Sequence, residues 1–327
     1  MLDLTPDRAS LDPIETASRD EIAALQEQFK RYIENQLDFT NLLPQVKAYT
    51  REHPDSVAGH VLLAQVLMKL AQYSEAYPAL TQALAGNPDN FELLKLTGAC
   101  AAKLERWDEA EQYLKDADAI NPEDMTVILQ LGNVYFQTGR LDEAEAAYER
   151  AQPLSGTSPP HKAYAGLADI AAARGQFQGN GGALNLIRRA IAFGERDSEA
   201  DVSAYRLKKV RILFEDGQWE AGANFLREAQ REDPSVVYSL PSARLRARLA
   251  AHRGDLSGAA SEIALLASGV VAAEDQTDYE RADIYAELAH WQLRAADREG
   301  ATDTLEALRT LMPSHSRLAD LEARLSE

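Results

Sequence analysis

The sequence predicts an all-α fold: a solenoid of antiparallel helix pairs, about eight units followed by a C-terminal capping helix. The first observation behind this is a period of 34 residues. With residue 57 as position 1, position 8 is Ala64, Gly98 and Gly132 in three consecutive windows, and position 20 is Ala76, Ala110 and Ala144. Position 27 is Ala83, Ala117 and Ala151. The second observation is a set of large groups between the small ones: Leu80, Leu114 and Tyr148 at position 24, with Tyr73, Trp107 and Leu141 at position 17. The third is a breaker at position 32: Pro88, Pro122 and then Gly156. A fixed period of this length marks a stack of helical hairpins. Small residues let the two helices of a pair approach, and proline ends each unit because it cannot continue a helix. Gly132→Leu is therefore expected to overpack a helix contact.

The windows Val57–Asn90, Phe91–Asp124 and Met125–Ser158 resemble tetratricopeptide repeats in these small and bulky positions and in Asn87-Pro88 and Asn121-Pro122. The resemblance implies a right-handed superhelix whose concave groove is lined by the first helix of each pair. It also implies a role in binding proteins or peptides.

Upstream, Ala23–Ser56 reads as a weaker unit ending near Pro54. Residues 1–17, with Pro6 and Pro13, read as a tail, and Ser18 with Glu21 forms a capping-box pattern that would start the first helix. Downstream, units are expected at 161–197, 203–236, 240–273 and 282–315, with residues 316–327 as the capping helix. Extra residues at 159–160, 198–202, 237–239 and 274–281 fall between units. A glycine-rich insertion, Gly175–Gly182, instead falls at the turn inside a hairpin. It lacks the Lys and Ser/Thr of a phosphate-binding loop and reads as a lengthened turn. Gly139, Gly217 and Gly254 mark the same turn elsewhere and are expected to supply a positive φ.

Composition excludes several function classes. No apolar run approaches the roughly 18 residues of a membrane span. The N-terminus shows no basic flank followed by an apolar stretch, so the expected location is cytoplasmic, although a processed exported form would read the same. The single cysteine, Cys100, falls in an apolar register slot and reads as a buried, inert thiol. The six histidines are scattered over the repeats without metal-ligand spacing, and no nucleophile motif occurs. Acids at the start of second helices, such as Asp108-Glu109 and Asp142-Glu143, are accounted for by the helix dipole. No catalytic residue, metal site or cofactor is therefore expected, and the chain reads as non-enzymatic.

The net charge of −18 argues against nucleic acid as a partner. The positions that the resemblance places in the groove carry the opposite bias. They hold nine Lys/Arg (Lys69, Lys95, Lys103, Lys162, Lys208, Arg211, Arg244, Arg248, Arg294) against five acids (Glu92, Asp169, Glu215, Asp283, Glu287). Gln130 and Asn133 would add hydrogen bonds for a peptide backbone, and Phe136 and Phe214 an apolar lining. The carboxylate clamp of chaperone-binding relatives needs Lys and Asn at positions 5 and 9 of one repeat. Here Lys95 is followed by Ala99, and Asn133 is preceded by Leu129, so the clamp is not reproduced. The basic residues have two readings. They hold an acidic segment of a partner protein or peptide, or they pair with acids on neighbouring helices. The function expected is an interaction scaffold with no chemistry of its own. The alternative is a peptide-sensing or enzyme-controlling regulator, which would need an effector domain. The sequence leaves the partner's identity and the oligomeric state open.

Overall fold

A computed structural model describes residues 13–35, 37–153, 160–197, 200–271 and 278–326. Most of the expected tail, Gly156, and parts of the expected insertions at 159–160, 198–202 and 274–281 lie outside the described residues. Among the described residues there are helices and no strand. They form two compact units, one ending at Thr138 and the other starting at Gly139.

The first unit holds α1 (Pro13–Glu34), α2 (Leu43–Glu52), α3 (Val57–Lys69), α4 (Tyr73–Gly86), α5 (Phe91–Lys103), α6 (Trp107–Ile120) and α7 (Met125–Gln137). The second holds α8 (Leu141–Ala151), α9 (His161–Ala173), α10 (Ala183–Gly194), α11 (Val202–Glu215) and α12 (Trp219–Glu232). It continues with α13 (Leu240–His252), α14 (Leu256–Val271), α15 (Asp278–Arg294), α16 (Arg298–Leu311) and α17 (Leu318–Ser326). The expected start of the first helix at Ser18 is corrected: α1 already begins at Pro13. Proline is tolerated there because the first N–H groups of a helix have no intrahelical acceptor.

Local chemistry explains the punctuation. The first helices α3, α5, α7, α11 and α13 are capped by short polar side chains, whereas α9 follows Pro160 without one. Ser56, Asn90 and Asp124 accept hydrogen bonds from Gly59, Leu93 and Val127 at 3.2, 3.0 and 2.9 Å. Each cap lies two residues after a proline, so one short segment both stops one helix and starts the next. At the other end the chain reverses through one left-handed residue. Gly139, Gly175, Gly217 and Gly254 have φ between 72 and 86°, and Ala71, Glu105 and Ala296 between 53 and 61°. The residue after the reversal bonds back to the helix: Gln72 N–H to Leu67 C=O at 2.8 Å, Gln218 to Leu213 at 2.8 Å and Asp255 to Ala250 at 3.0 Å. This is the Schellman closure of a helix end.

Packing follows the small residues. Ala64, Ala76, Ala110 and Ala117 are fully buried in the first unit, as are Ala168, Ala183, Ala190, Ala247, Ala259, Ala289 and Ala301 in the second. On α5 a Cβ at Gly98 would lie 2.6 Å from Leu114 Cγ, so only glycine allows that approach of α5 to α6. Gly132 is buried on α7. Cys100 is fully buried, its thiol donates to Tyr73 C=O, and burial pushes its pKa up to about 12. In α17, Leu318 and Leu321 cover Ala282, Ala286, Leu305 and Leu308.

Within the second unit α9 touches α10 and α11, α11 touches α13, and α14 touches α15. With the Arg244–Glu287 bond from α13 to α15, the first helices of successive pairs (α9, α11, α13, α15) provide one face of the unit; Lys162, Lys208, Arg211, Arg244 and Arg248 belong to these helices, whereas Lys95, Gln130, Asn133 and Phe136 lie on α5 and α7 of the first unit.

Candidate functional site

On this face the cations meet carboxylates of neighbouring helices. Lys208 and Arg211 on α11 both donate to Asp169 on α9, whose side chain is 17% exposed. Lys208 Nζ also lies 3.4 Å from Ala165 C=O. Arg211 Nη1 donates to both oxygens of Glu215, one turn later on α11, at 2.8 and 2.9 Å. Arg248 on α13 approaches the same carboxylate only to 3.9 Å, and its guanidinium donates no hydrogen bond among the described residues. Its side chain is 36% exposed. Three cations thus share two carboxylates.

A second cluster lies at α13, α15 and the turn before α17. Glu287 accepts from Arg244 Nε, Arg317 Nη1 and Trp291 Nε1, each at 3.0 Å. Asp283 lies 3.2 Å from His315 Nε2. Burial pushes both carboxyls up. The His315 hydrogen bond and the Arg244 guanidinium outweigh it at Asp283, and Arg244 with Arg317 outweighs it at Glu287, so both end below their ordinary values. On the same helix, burial pushes the His290 ring down, and Arg324, 3.1 Å from its Nδ1, acts in the same direction. All three pKa values are depressed in the folded state. Their stabilisation is complete above the unfolded values, 6.5 for the histidine and 4.5 and 3.8 for the carboxyls, and is lost as pH falls through the folded ones. Urea midpoints should therefore begin to fall below about pH 6.5, and His290→Gln should remove the first part of that decline. A midpoint that rises as pH drops from 6.5 to 5 would contradict this assignment.

The other residues singled out by sequence are distributed differently. Lys162 on α9 is exposed and makes no ion pair with a described residue. In the first unit, Lys95 pairs with Glu92 at 2.7 Å and lies over the Phe91 ring. Asn133 is exposed, Phe136 is half-buried, and Gln130 Oε1 is buried without a hydrogen-bond partner. Phe214 is corrected from groove lining to core. It is 2% exposed and stacks on Trp219 with ring centroids 4.8 Å apart. Its ring occupies the space left by Gly222, where a Cβ would come within 2.6 Å.

Sequence reasoning missed Arg317, which lies in the turn after the last pair, outside every first-helix window. The missed Trp219–His252 stack, at 3.9 Å and 6°, joins helix ends 33 positions apart, and only the period itself could have signalled it.

Two other polar features of the second unit make hydrogen bonds of their own. At the glycine-rich turn the N–H groups that open α10 are already used: Ala183 donates to Gln176 C=O at 2.8 Å and Leu184 to Phe177 C=O at 3.2 Å. They have no free donor to offer a phosphate. His161, 4% exposed, is held between Tyr205 Oη at 2.6 Å and Asp197 at 3.1 Å. Burial pushes the Tyr205 phenol up to about 12, so it remains protonated at neutral pH. Among the described residues no group of His, Cys, Asp and Glu could hold a metal ion, and no helix is long and apolar enough to cross a membrane.

Two sequence-family models described as tetratricopeptide repeat match residues 61–125 and 101–163. Residues 61–163 of the chain carry tetratricopeptide repeats. Among solved structures, a tetratricopeptide repeat protein from Parabacteroides merdae superposes with a TM-score of 0.63 at 17% identity, over 84% of this chain and 99% of that one. PilW, described as a widely conserved type IV pilus biogenesis factor, gives a TM-score of 0.55 at 20% identity, covering 71% of this chain and 98% of its own. The PilF protein of Pseudomonas aeruginosa gives 0.50 at 19%, covering 71% and 99%. These likenesses show the fold, a tetratricopeptide helical solenoid. No curated protein matches the chain. Tetratricopeptide repeats are in general non-enzymatic scaffolds that mediate protein interactions.

Proposed function

We propose that this chain is a non-enzymatic scaffold that holds a peptide or partner protein, through an acidic segment, on the face formed by α9, α11, α13 and α15. The reading takes the helix pairs to extend from about residue 18 to 315, with residues 316–327 as a capping helix. One observation carries it. Lys208, Arg211 and Arg248 share Asp169 and Glu215, and Arg248 is left with its hydrogen-bond donors unused at a half-exposed position. An incoming carboxylate would supply the missing acceptor, and charge-assisted bonds from arginine are among the stronger polar contacts. Arg244 contributes less, because Glu287 already accepts its Nε–H.

The test is charge reversal at Arg248. Arg211 is a poor choice because it joins α11 to α9 through Asp169, so reversing it would disturb the fold as well as the face. A fluorescein-labelled oligoglutamate peptide should bind the wild type in low salt and weaken as salt shortens the Debye length from about 10 Å at 0.1 M to 3 Å at 1 M. Arg248→Glu should bind it at least about tenfold more weakly, the effect of some 1.4 kcal/mol, with an unchanged melting temperature. Equal affinity in the two proteins, or tighter binding of an oligothymidylate than of the peptide, would overturn the proposal.

A further inference from the structure

We infer that Glu215 is a built-in competitor for the partner's carboxylate: in the free protein it occupies the anion position between Arg211 and Arg248, and it must be displaced for binding. The inference rests on the partner-binding reading above and assigns the regulation of that site. Three features separate Glu215 from Asp169. Asp169 is more buried, is contributed by another helix and takes both Lys208 and Arg211, so it is a fixed joint between α9 and α11. Glu215 is the last residue of α11, where the helix dipole disfavours an anion. Its pairing with Arg211 also has the basic residue N-terminal to the acidic one, the weaker order for an i,i+4 pair. Helix stability therefore does not account for a carboxylate here.

The geometry fits an exchangeable occupant. Glu215 takes both of its short bonds from a single nitrogen of Arg211 and stands 3.9 Å from Arg248 without a hydrogen bond. Its side chain is 29% exposed, so rotation into solvent needs no movement of the backbone. Once it swings out, Arg211 remains anchored by Asp169 with Nη1 free, beside the unused donors of Arg248. That pair of guanidiniums accepts one carboxylate. The competitor sets a threshold: a single weak anion does not displace it, whereas a segment with several acids does.

The oligoglutamate peptide tests this on the whole chain. Glu215→Gln, with Glu215→Ala as a second variant, should tighten binding about two- to fivefold, the release of one partly exposed ion pair. Glu220→Gln, which removes a highly exposed acid from the start of α12, should leave affinity unchanged and controls for net charge. Wild-type binding with no gain in either Glu215 variant would overturn the competitor while leaving the binding face intact. So would an equal gain in Glu220→Gln, which would reduce the effect to overall charge. Absence of binding in the wild type and in both Glu215 variants would remove the binding face and the competitor together.

Discussion

Gly166→Ala should destabilise the protein, whereas Gly86→Ala should stabilise it. A methyl group on Gly166 of α9 would lie 2.4–2.6 Å from three carbons of the Tyr148 ring of α8, which is itself 7% exposed. Overpacking of this kind costs about 1–3 kcal/mol. Replacing a helical glycine by alanine recovers about 0.5–1 kcal/mol through backbone entropy, so the net loss should be up to about 2.5 kcal/mol. At Gly86, at the end of α4, a Cβ meets nothing within 4 Å, so only the favourable part remains. Chemical denaturation of the two variants should therefore shift in opposite directions. If both shift the same way, α9 does not lie against Tyr148 as closely as described.

Glu287→Leu should be the most damaging single change on the face of α9, α11, α13 and α15, at about 2–3 kcal/mol. The carboxylate receives three hydrogen bonds, two from guanidinium groups, and its loss leaves all three donors without an acceptor. Arg244 and Arg317 are 39 and 35% exposed and can turn to water. The Trp291 N–H cannot, because the residue is 4% exposed. The indole therefore sets the lower bound on the loss. A double-mutant cycle with Arg317→Ala should give a coupling of about 0.5 kcal/mol or more. Additive effects would show that Arg317 and Glu287 do not interact in solution.

Most of the fold is legible because it depends on side-chain size and on punctuation. Gly98 can be read as a contact residue because its neighbours in the period are also small, and Asn90 as a start signal because it follows Pro88 at a fixed distance. The site is less legible because pairing depends on how far one helix is offset from the next. The sequence places Lys208, Arg211 and Asp169 on one face, but not the two cations on a single carboxylate. Phe214 shows the same limit. Its register position faces outward in an average repeat, yet Gly222 opens a space one helix away that draws the ring inward. Arg317 was out of reach because it belongs to the turn that leads into α17, where the period has ended.

The hairpin turns have a consequence for how the chain comes apart. They are closed by local residues: a left-handed residue and a bond back to the preceding helix end. The main packing in each unit joins helices adjacent in the chain. Order in such a chain propagates from neighbour to neighbour, so melting can begin at an end and advance one pair at a time. Low sequence separation between contacting residues also makes refolding fast. A partner holding α11 to α13 would act as a staple across two adjacent pairs and raise the resistance of that segment to unzipping more than that of the rest.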